Sequence, residues 1–377
     1  MAQHPSPKPQ SLARRIFSAL RNQPFAPQAQ PATRMPDLET WKMPHRAVDV
    51  KDWEVALNMA NNVIRPDRTR LLDLYDSILV DSHTSSVMES RVLRVVRSKF
   101  KLIGPDGKPK PELNRLLETQ WFEDFLQYVA EAVFRGHTLI ELSELAKPGQ
   151  LKRITRIDAR NVLPWTGMVV RRRGEETGYQ YREEPLASYL IEVGQPFDLG
   201  ILSQVAPVVI TKKYAIGSWS DFVEKFGIPP RWVKTPSTDK KRLDQLQTMM
   251  QEMVSSAYAI IQGQEEIQVM TTPGVDAHKV FDELISRMNS EISKRILGQD
   301  GTSDNKDASG TYGSLKVLQG VAEDRHQADK ASVMYVINQE LLPRLVKLGY
   351  PFAGMRFEWD ELRDLSPMEL VDAVSKL

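Results

Sequence analysis

The 377-residue chain contains no cysteine. This absence excludes disulfide bonds, thiolate nucleophiles and cysteine-ligated metal sites. The six histidines are scattered along the sequence, without the His-x-His or His-Glu-x-x-His pairs that would indicate a metal centre. Mean hydropathy is negative, and no apolar run reaches the length of a membrane-spanning helix. We therefore expect no cofactor, no metal ion and no membrane partner.

Signatures of the common catalytic sites are also lacking. There is no Gly-x-x-x-x-Gly-Lys-Ser/Thr stretch, so the chain is not expected to hydrolyse ATP itself. No serine lies in a Gly-x-Ser-x-Gly elbow. The aspartate-rich residues 300–307 could bind a divalent cation for phosphoryl transfer, but they lack the carboxylate spacing of a calcium loop. We expect a protein that is not an enzyme, with metal-dependent phosphoryl transfer kept as an alternative.

An excess of positive charge is missing as well. The chain has 50 lysine and arginine residues against 49 aspartate and glutamate residues, which gives a net charge of +1. A protein that grips nucleic acid is usually basic, because each phosphate contact adds affinity and salt dependence. The charge balance therefore argues against a static DNA clamp, while it is compatible with DNA that must slide.

The most distinctive stretch is a helix, a polar loop and a longer helix near the end of the chain. Apolar residues at spacings of three and four predict a helix that begins at Asp276. Residues 298–313 follow, with no aliphatic side chain larger than alanine. Ser314 is expected to cap a second helix that runs to residue 348, with a kink at Pro343. A long polar loop is either a mobile surface segment or one that projects into a space where something polar passes.

The preceding regions predict a mixed α+β fold. Residues 1–50 are proline-rich and form an arm, whose amphipathic segment 11–21 is either transiently helical or docks on a neighbouring subunit. Helices are expected over residues 50–100, with a strand from Val92 to Ile103. Further on, the pattern predicts a helix pair over 112–134 that ends at Gly136, a strand at 138–142, and three strands at 154–157, 168–173 and 188–193.

A small α/β module is expected between two helices. The helix predicted over residues 196–226 precedes it, and the helix that begins at Asp276 follows it. The module contains a strand at 231–234, a helix at 239–255 and strands at 257–262 and 267–270. The basic run Lys240-Lys241-Arg242 opens its helix, where negative charge is normally preferred, so it marks either an interface or a solvated face. Arg171-Arg172-Arg173 is interpreted as a hairpin tip rather than a DNA site.

Several segments together resemble the Mu-like portal family of tailed bacteriophages. They are Ile-Gly-Ser-Trp at 216–219, Phe-Val-Glu-Lys-Phe-Gly-Ile-Pro-Pro at 222–230, Glu-Ile-Ser-Lys-Arg-Ile-Leu-Gly-Gln at 291–299, Gly313-Ser314, and Ala-Val-Phe-Arg-Gly at 132–136 with Ile140-Glu141. No single motif is diagnostic, but their joint order and spacing over roughly residues 55–350 carry the resemblance.

The resemblance implies a portal fold with long stem and wing helices, a small α/β clip insert and a β-rich wing. It also implies a ring of about twelve copies at one capsid vertex, through which DNA passes. The implied regions are an N-terminal arm (1–50), wing (51–197), stem helix (198–226), clip (227–272), stem helix (273–297), tunnel loop (298–313), long wing helix (314–350) and a C-terminal wing or short crown segment (351–377).

The resemblance further implies partners and sites. The partners are double-stranded DNA, the major capsid protein, the terminase large subunit and a head–tail adaptor, with assembly in the host cytoplasm and a final place in the virion. The residues expected to line the DNA channel are Thr302, Ser303, Asn305, Lys306 and Ser309. The residues expected at the clip interface are Arg231, Trp232, Lys234, Lys240, Lys241 and Arg242. Lys306 is either a phosphate contact or one exposed lysine among many.

Another ring-forming adaptor or a helical scaffold protein remains the second alternative, because the long helices are compatible with either. A ring with an axial hole would favour the portal, a rod would favour the scaffold, and nucleotide turnover would favour the enzyme.

Overall fold

A computed structural model describes residues 49–226, 231–252, 261, 263–269, 277–300 and 312–360. The chain divides into two compact units. Residues 208–289 form the small unit, and the residues on either side of them form the large unit. None of the helices in the described ranges is long and apolar enough to cross a lipid bilayer.

The large unit begins with three helices, α1 (Val50–Ala60), α2 (Thr69–Ile78) and α3 (Ser82–Val96). Asp49 starts α1 with a capping box, in which its side chain and that of Asp52 each accept a hydrogen bond from the other's backbone N–H. Asp81 starts α3 in a similar way, since its carboxylate accepts from the backbone N–H of Thr84 at 2.9 Å.

The predicted strand from Val92 to Ile103 is wrong in its first half. Residues 92–96 complete α3, and only Phe100–Ile103 forms a strand, β1. Val92 and Val95 lie one turn apart on the buried face of α3. A helix already started at Asp81 extends through these β-branched residues because their burial outweighs their weak strand preference.

The core of the large unit is built around helix α5 (Gln120–Arg135), which follows the short helix α4 (Pro111–Asn114). Helix α5 ends at Gly136, as predicted, and Gly136 adopts a left-handed conformation there. Strand β2 (His137–Lys147) then forms the centre of a three-stranded antiparallel sheet with β3 (Gln150–Arg156) and β7 (Leu190–Gly194). The buried aromatic members of this core are Trp121, Phe122, Phe125, Tyr350, Phe352, Phe357 and Trp359, and the partly buried Phe100 and Tyr128 pack against it.

A second three-stranded sheet is much smaller than the sequence predicts. Its strands β4 (Val162–Leu163), β5 (Met168–Val169) and β6 (Tyr179–Gln180) have two residues each. The predicted strand 168–173 stops early because its partner does: Val170 donates its backbone N–H to Asn161 O at 2.8 Å, and Asn161 already belongs to the 3₁₀ turn Ala159–Asn161. A short 3₁₀ turn at Leu186–Ser188 likewise delays the predicted strand at 188 until Leu190.

The interpretation of the arginine triplet as a hairpin tip needs correction at one residue. Arg171 and Arg172 are exposed. Arg173 is half-buried, and its Nη2 donates to Asp73 Oδ2 at 2.8 Å.

The long C-terminal helix is interrupted near its end. It begins at Tyr312, two residues before the predicted cap Ser314, and runs as α9 (Tyr312–Val336) into a π turn (Ile337–Leu341) and α10 (Leu342–Lys347). Pro343, the second residue of α10, has no N–H to donate to the preceding turn, and the wider π turn accommodates this. Strand β10 (Arg356–Trp359) then pairs antiparallel with β1.

The small unit contains parts of two long helices and a two-stranded sheet. Helix α6 (Leu202–Phe226) begins six residues later than predicted, and helix α8 (Ala277–Leu297) ends before Gly298, as predicted. Strands β8 (Arg231–Lys234) and β9 (Glu266–Val269) pair antiparallel, and helix α7 (Lys240–Glu252) lies between them in sequence. Some predicted features lie outside the described residues: the arm, the Asp276 cap, most of the strand at 257–262 and the tail helix after residue 360.

Candidate functional site

The structure describes the two ends of the polar loop, residues 298–300 and 312–313. Residues 301–311 lie outside the described residues, and with them the predicted channel residues Thr302, Ser303, Asn305, Lys306 and Ser309. The described ends are the last turn of α8, residues 298–300, and the start of α9. The structure therefore shows which residues hold the base of this loop in place.

Two arginines from other helices clamp the end of α8. Arg91 on α3 donates Nη1–H to Ile296 O at 2.7 Å, and Arg325 on α9 donates Nη1–H to Arg295 O at 2.8 Å. Arg91 also holds Asp329 of α9 through a bidentate pair, at 2.7 Å and 2.8 Å. The final carbonyls of a helix lack intrahelical donors and carry partial negative charge, so guanidinium groups are well suited to cap them.

Asp300 folds back onto the helix it follows. Its Oδ2 accepts a hydrogen bond from Ser290 Oγ and lies 3.2 Å from Lys294 Nζ. The hydrogen bond from Ser290, assisted by Lys294, holds the pKa of Asp300 below its usual value. The first carboxylate of the aspartate-rich segment therefore stays ionised at neutral pH while it pairs with α8.

The loop base lines a shallow cationic cleft, whose walls are formed by Arg91, Arg94, Leu297, Gln299, Ala322, Arg325 and His326. Burial lowers the pKa of Arg325, and the neighbouring Arg91 and Arg295 lower it further. Sequence reasoning missed this cluster, since Arg91 and Asp329 are 238 positions apart and no local pattern links them. Positive charge therefore concentrates at the base of a loop whose own residues are mostly polar.

The residues predicted to form a clip interface lie in the small unit. Arg231 lies in β8 opposite Val269 of β9. Trp232 is 46% exposed, and its Nε1–H donates to Gln268 Oε1 at 2.9 Å across the same two strands. Lys234, Lys240 and Lys241 are exposed. The described part of the module therefore presents the Trp232 ring and these three lysines to solvent.

Arg242 differs from the lysines beside it. Its Nε and Nη2 donate to the two carboxylate oxygens of Glu265, at 3.0 Å and 2.5 Å. The unfavourable basic start of α7 is also offset locally, because Asp239 Oδ1 accepts from the backbone N–H of Lys241 at 3.2 Å. Arg242 thus ties α7 to the segment before β9, whereas Lys240 and Lys241 face water.

Solved structures of phage-like particles share this fold. A chain in the virion of a native gene transfer agent particle matches with a TM-score of 0.57 and 13% identity, over 87% of this chain and 93% of that one. A chain from the neck of the native gene transfer agent particle, computed with C12 symmetry, matches with a TM-score of 0.52 and 13% identity over the same shares. These likenesses concern the fold alone, and they confirm the predicted α+β class.

Sequence comparison identifies the family. The model of the family described as "Portal protein of Mu bacteriophage" matches residues 72–377. The portal protein of Escherichia phage Mu is 23% identical over 363 residues, which cover 85% of this chain and 67% of that protein. The chain therefore belongs to the Mu bacteriophage portal protein family. The predicted family is confirmed, and membership in a family of structural proteins removes the basis for the enzyme alternative.

Proposed function

We propose that the chain forms a ring of about twelve copies at one vertex of a capsid, and that double-stranded DNA passes through its axis during packaging and ejection. The observation that carries this proposal is the family match over residues 72–377. The likeness to a neck chain in a structure computed with C12 symmetry supports the ring and its order. The assembled protein would reside in the virion, after assembly in the host cytoplasm.

The regions take the following roles in this proposal. Residues 198–226 and 273–297 are stem helices, 227–272 the clip, 298–313 the tunnel loop, 314–350 the long wing helix and 51–197 the wing, with an arm before them and a short wing or crown segment at 351–377. Two observations support this division. Helices α6 and α8 flank a module that forms one compact unit with parts of both helices. The arginine clamp fixes the base of the tunnel loop on the large unit.

The tunnel loop would meet the DNA. Thr302, Ser303, Asn305 and Ser309 offer small polar side chains, and Lys306 offers a phosphate contact that the ring repeats in every subunit. Weak and repeated contacts suit a sliding polymer, because tight ion pairing would hold it in place. The cationic cleft at the described base of the loop, with Arg91, Arg94 and Arg325 in its walls, would add positive potential.

The clip would bind the terminase large subunit during packaging and the head–tail adaptor afterwards, while the wing would contact the major capsid protein. Arg231, Trp232, Lys234, Lys240 and Lys241 are the proposed contact residues of the clip. Exposed Trp232 beside three exposed lysines fits such a surface, since an aromatic anchor within a charged rim is common at protein interfaces. Arg242 has a supporting role through Glu265.

Negative-stain imaging of the purified protein tests the ring directly. We expect end-on class averages of about twelve subunits around a hole wide enough for duplex DNA. Uniform monomers, dimers or rods at every concentration would contradict the proposal.

The channel role of Lys306 needs a separate experiment. Lys306→Glu should leave the rings intact and reduce DNA packaging, with a changed dependence on salt, because each subunit loses a phosphate contact. Lys152→Glu, at an exposed lysine of β3, is the matched control for a charge reversal elsewhere. Equal packaging by both variants would show that Lys306 is an ordinary surface lysine.

A further inference from the structure

The cationic cleft at the base of the polar loop holds more guanidinium groups than it has carboxylates to pair with them. Arg91 and Arg94 reach the cleft from α3, and Arg325 reaches it from α9. Asp329 forms an ion pair with Arg91 at 2.7 Å. Neither Arg94 nor Arg325 pairs with a carboxylate of the described residues. The described part of the cleft therefore keeps an excess of positive charge.

Arg94 differs from the other two arginines because the clamp does not use it. Arg91 and Arg325 both donate to carbonyl oxygens in the last turn of α8, so their guanidinium groups already have a structural role. The Arg94 side chain is exposed, and its guanidinium makes no hydrogen bond with any residue that the structure describes. All of its N–H donors are therefore available to a ligand in the cleft.

His326 adds an unsatisfied polar atom to the same wall. Its Nδ1 is buried and has no hydrogen-bond partner among the described residues. Burial lowers the pKa of His326, and Glu323 acts in the opposite direction without outweighing burial, so the ring is neutral at pH 7. Leu297 and Ala322 contribute apolar groups to the wall. Apolar surroundings strengthen the attraction between a guanidinium and an anion, because less water screens it.

The donor groups of the cleft suit a phosphate group. Arg94 and Arg325 come from different helices, and a phosphate has enough oxygens to accept from both guanidinium forks at once. A carboxylate offers fewer oxygens, and an apolar ligand would leave the guanidinium groups without acceptors. Because the cleft is shallow, it suits a phosphate on a larger molecule or a free phosphate ion better than an enclosed organic ligand.

We propose that this cleft is a phosphate-binding site, in which the guanidinium groups of Arg94 and Arg325 donate to the phosphate oxygens. The phosphate belongs either to a DNA backbone or to free inorganic phosphate, since both present the same oxygens. The inference goes beyond the proposed function, which assigns the DNA contacts of this region to the tunnel loop. It rests on that function only in the choice of DNA as one carrier of the phosphate.

Arg94→Glu and Arg97→Glu form a matched pair for the test. Both arginines are exposed at the C-terminal end of α3, but Arg97 is not among the residues that line the cleft. Inorganic phosphate is titrated against the full chain at constant ionic strength, and the rise in melting temperature reports binding. We expect Arg94→Glu to weaken the apparent phosphate affinity at least about tenfold relative to Arg97→Glu, because a charge-assisted hydrogen bond is replaced by repulsion.

Two controls protect this comparison. Phosphate also stabilises proteins because it is excluded from their surfaces, and that effect should be the same in wild type and in both variants. Arg94→Gln removes the positive charge without adding a negative one. It should weaken phosphate binding in the same direction, and it replaces Arg94→Glu if the latter fails to fold.

A short, fluorescently labelled DNA duplex identifies the source of the phosphate. Its binding is measured by fluorescence anisotropy at several salt concentrations. If the site takes a backbone phosphate, Arg94→Glu should lose more DNA affinity than Arg97→Glu and show a smaller salt dependence, because a phosphate contact is missing. If the two variants bind DNA equally well while their affinities for inorganic phosphate differ, the site takes free phosphate.

Two results would overturn the inference. One is that Arg94→Glu and Arg97→Glu bind both inorganic phosphate and DNA equally well. The other is that Arg94→Glu loses binding to polyglutamate but not to either phosphate source, because the cleft would then serve an acidic protein segment. The titration with inorganic phosphate needs no ring, so its failure is distinct from a failure of the wild-type protein to form rings in negative-stain images.

Discussion

The two compact units of the chain differ in where they place their apolar side chains. The large unit encloses a continuous cluster in which Phe122, Phe357 and their aromatic neighbours are almost completely buried. In the small unit, α6 leaves Ile216 46% exposed and Val223 54% exposed, and α8 leaves Val280 62% exposed. The large unit therefore carries its own core beside a few exposed side chains such as Val63 and Ile64, whereas the long helices of the small unit keep much of their apolar surface in water.

This difference predicts where substitutions affect folding and where they affect assembly. Loss of a core side chain in the large unit should lower the stability of the isolated subunit. Loss of an exposed apolar side chain in the small unit should leave the isolated subunit nearly unchanged and appear only in the assembled state.

The largest effect is expected from Phe357→Ala. Phe357 is fully buried, stacks on Phe100 at 5.3 Å between ring centroids and meets Trp359 edge-on at 5.0 Å. Truncation removes this packing and leaves a cavity, which should cost about 3–5 kcal/mol of unfolding free energy in a urea titration. The matched control in the small unit is Val223→Ala, expected to stay within about 0.5 kcal/mol. Comparable losses in both variants would show that the two units do not differ in this way.

Gly136→Ala should be the next most damaging change, although it removes no contact. Gly136 has a φ of 80°, and an added Cβ would lie 2.0 Å from Asp198 O and 2.7 Å from Gly200 N. Backbone must move to accept it, and we expect a loss of about 2–3 kcal/mol or more. Gly174→Ala separates the strain of the left-handed backbone from the steric clash of the added Cβ. Gly174 has a φ of 87°, but the space around its Cβ position is open.

In that control only the left-handed strain applies, at about 1–2 kcal/mol. Equal unfolding midpoints for the two alanine variants would mean that the close approach at Gly136 relaxes at no cost.

The elements that the sequence predicted correctly are those specified by neighbours along the chain. The apolar stripe of α5, its end at Gly136 and the end of α8 before Gly298 all follow from local spacing and glycine positions. Residues 92–96 were misassigned because a short run of valines suits both a strand and a buried helix face, and only the tertiary partners decide between them. The two-residue strands β4, β5 and β6 are too short to give any alternating pattern.

The same distinction applies to the candidate site. The polar loop was visible in the sequence because its composition is unusual. The clamp beneath it was not, since Arg91, Ile296 and Asp329 come from three separate helices. In the proposed clip, the basic run was visible in the sequence, but the different role of Arg242 depends on Glu265, which lies 23 positions away.

Low pH should reduce the unfolding free energy of the large unit, because it protonates Glu192. Burial alone would raise the pKa of Glu192, but hydrogen bonds from His137, Arg182 and Tyr181 outweigh it and lower that pKa to about 2. The carboxylate therefore stabilises the folded state above pH 4.5, its ordinary pKa, and this contribution is lost as pH falls towards about 2. Burial also lowers the pKa of His137, so its protonation in acid acts in the same direction.

We expect Glu192→Gln to lose about 2 kcal/mol at neutral pH, a value reduced for the partial exposure of the carboxylate. The stability curves of variant and wild type should converge between pH 4.5 and about 2. Denaturant titrations at several pH values measure this, and parallel curves throughout that range would rule out Glu192 as the titrating group.

The smallest effect on stability is expected at Lys240 and Lys241 of the proposed clip, where substitutions should affect assembly but not folding. Lys240→Ala/Lys241→Ala removes two exposed charges and should change unfolding free energy by less than about 0.5 kcal/mol. Arg242→Ala breaks the pair with Glu265 and should speed hydrogen exchange at the amides of β9, which the lysine variant should leave unchanged.

In binding assays of assembled rings with the terminase large subunit, the lysine variant should bind more weakly and with a smaller salt dependence. Unaltered binding by that variant, with normal exchange in β9, would mean that these lysines only solvate the module and that its partner surface lies elsewhere.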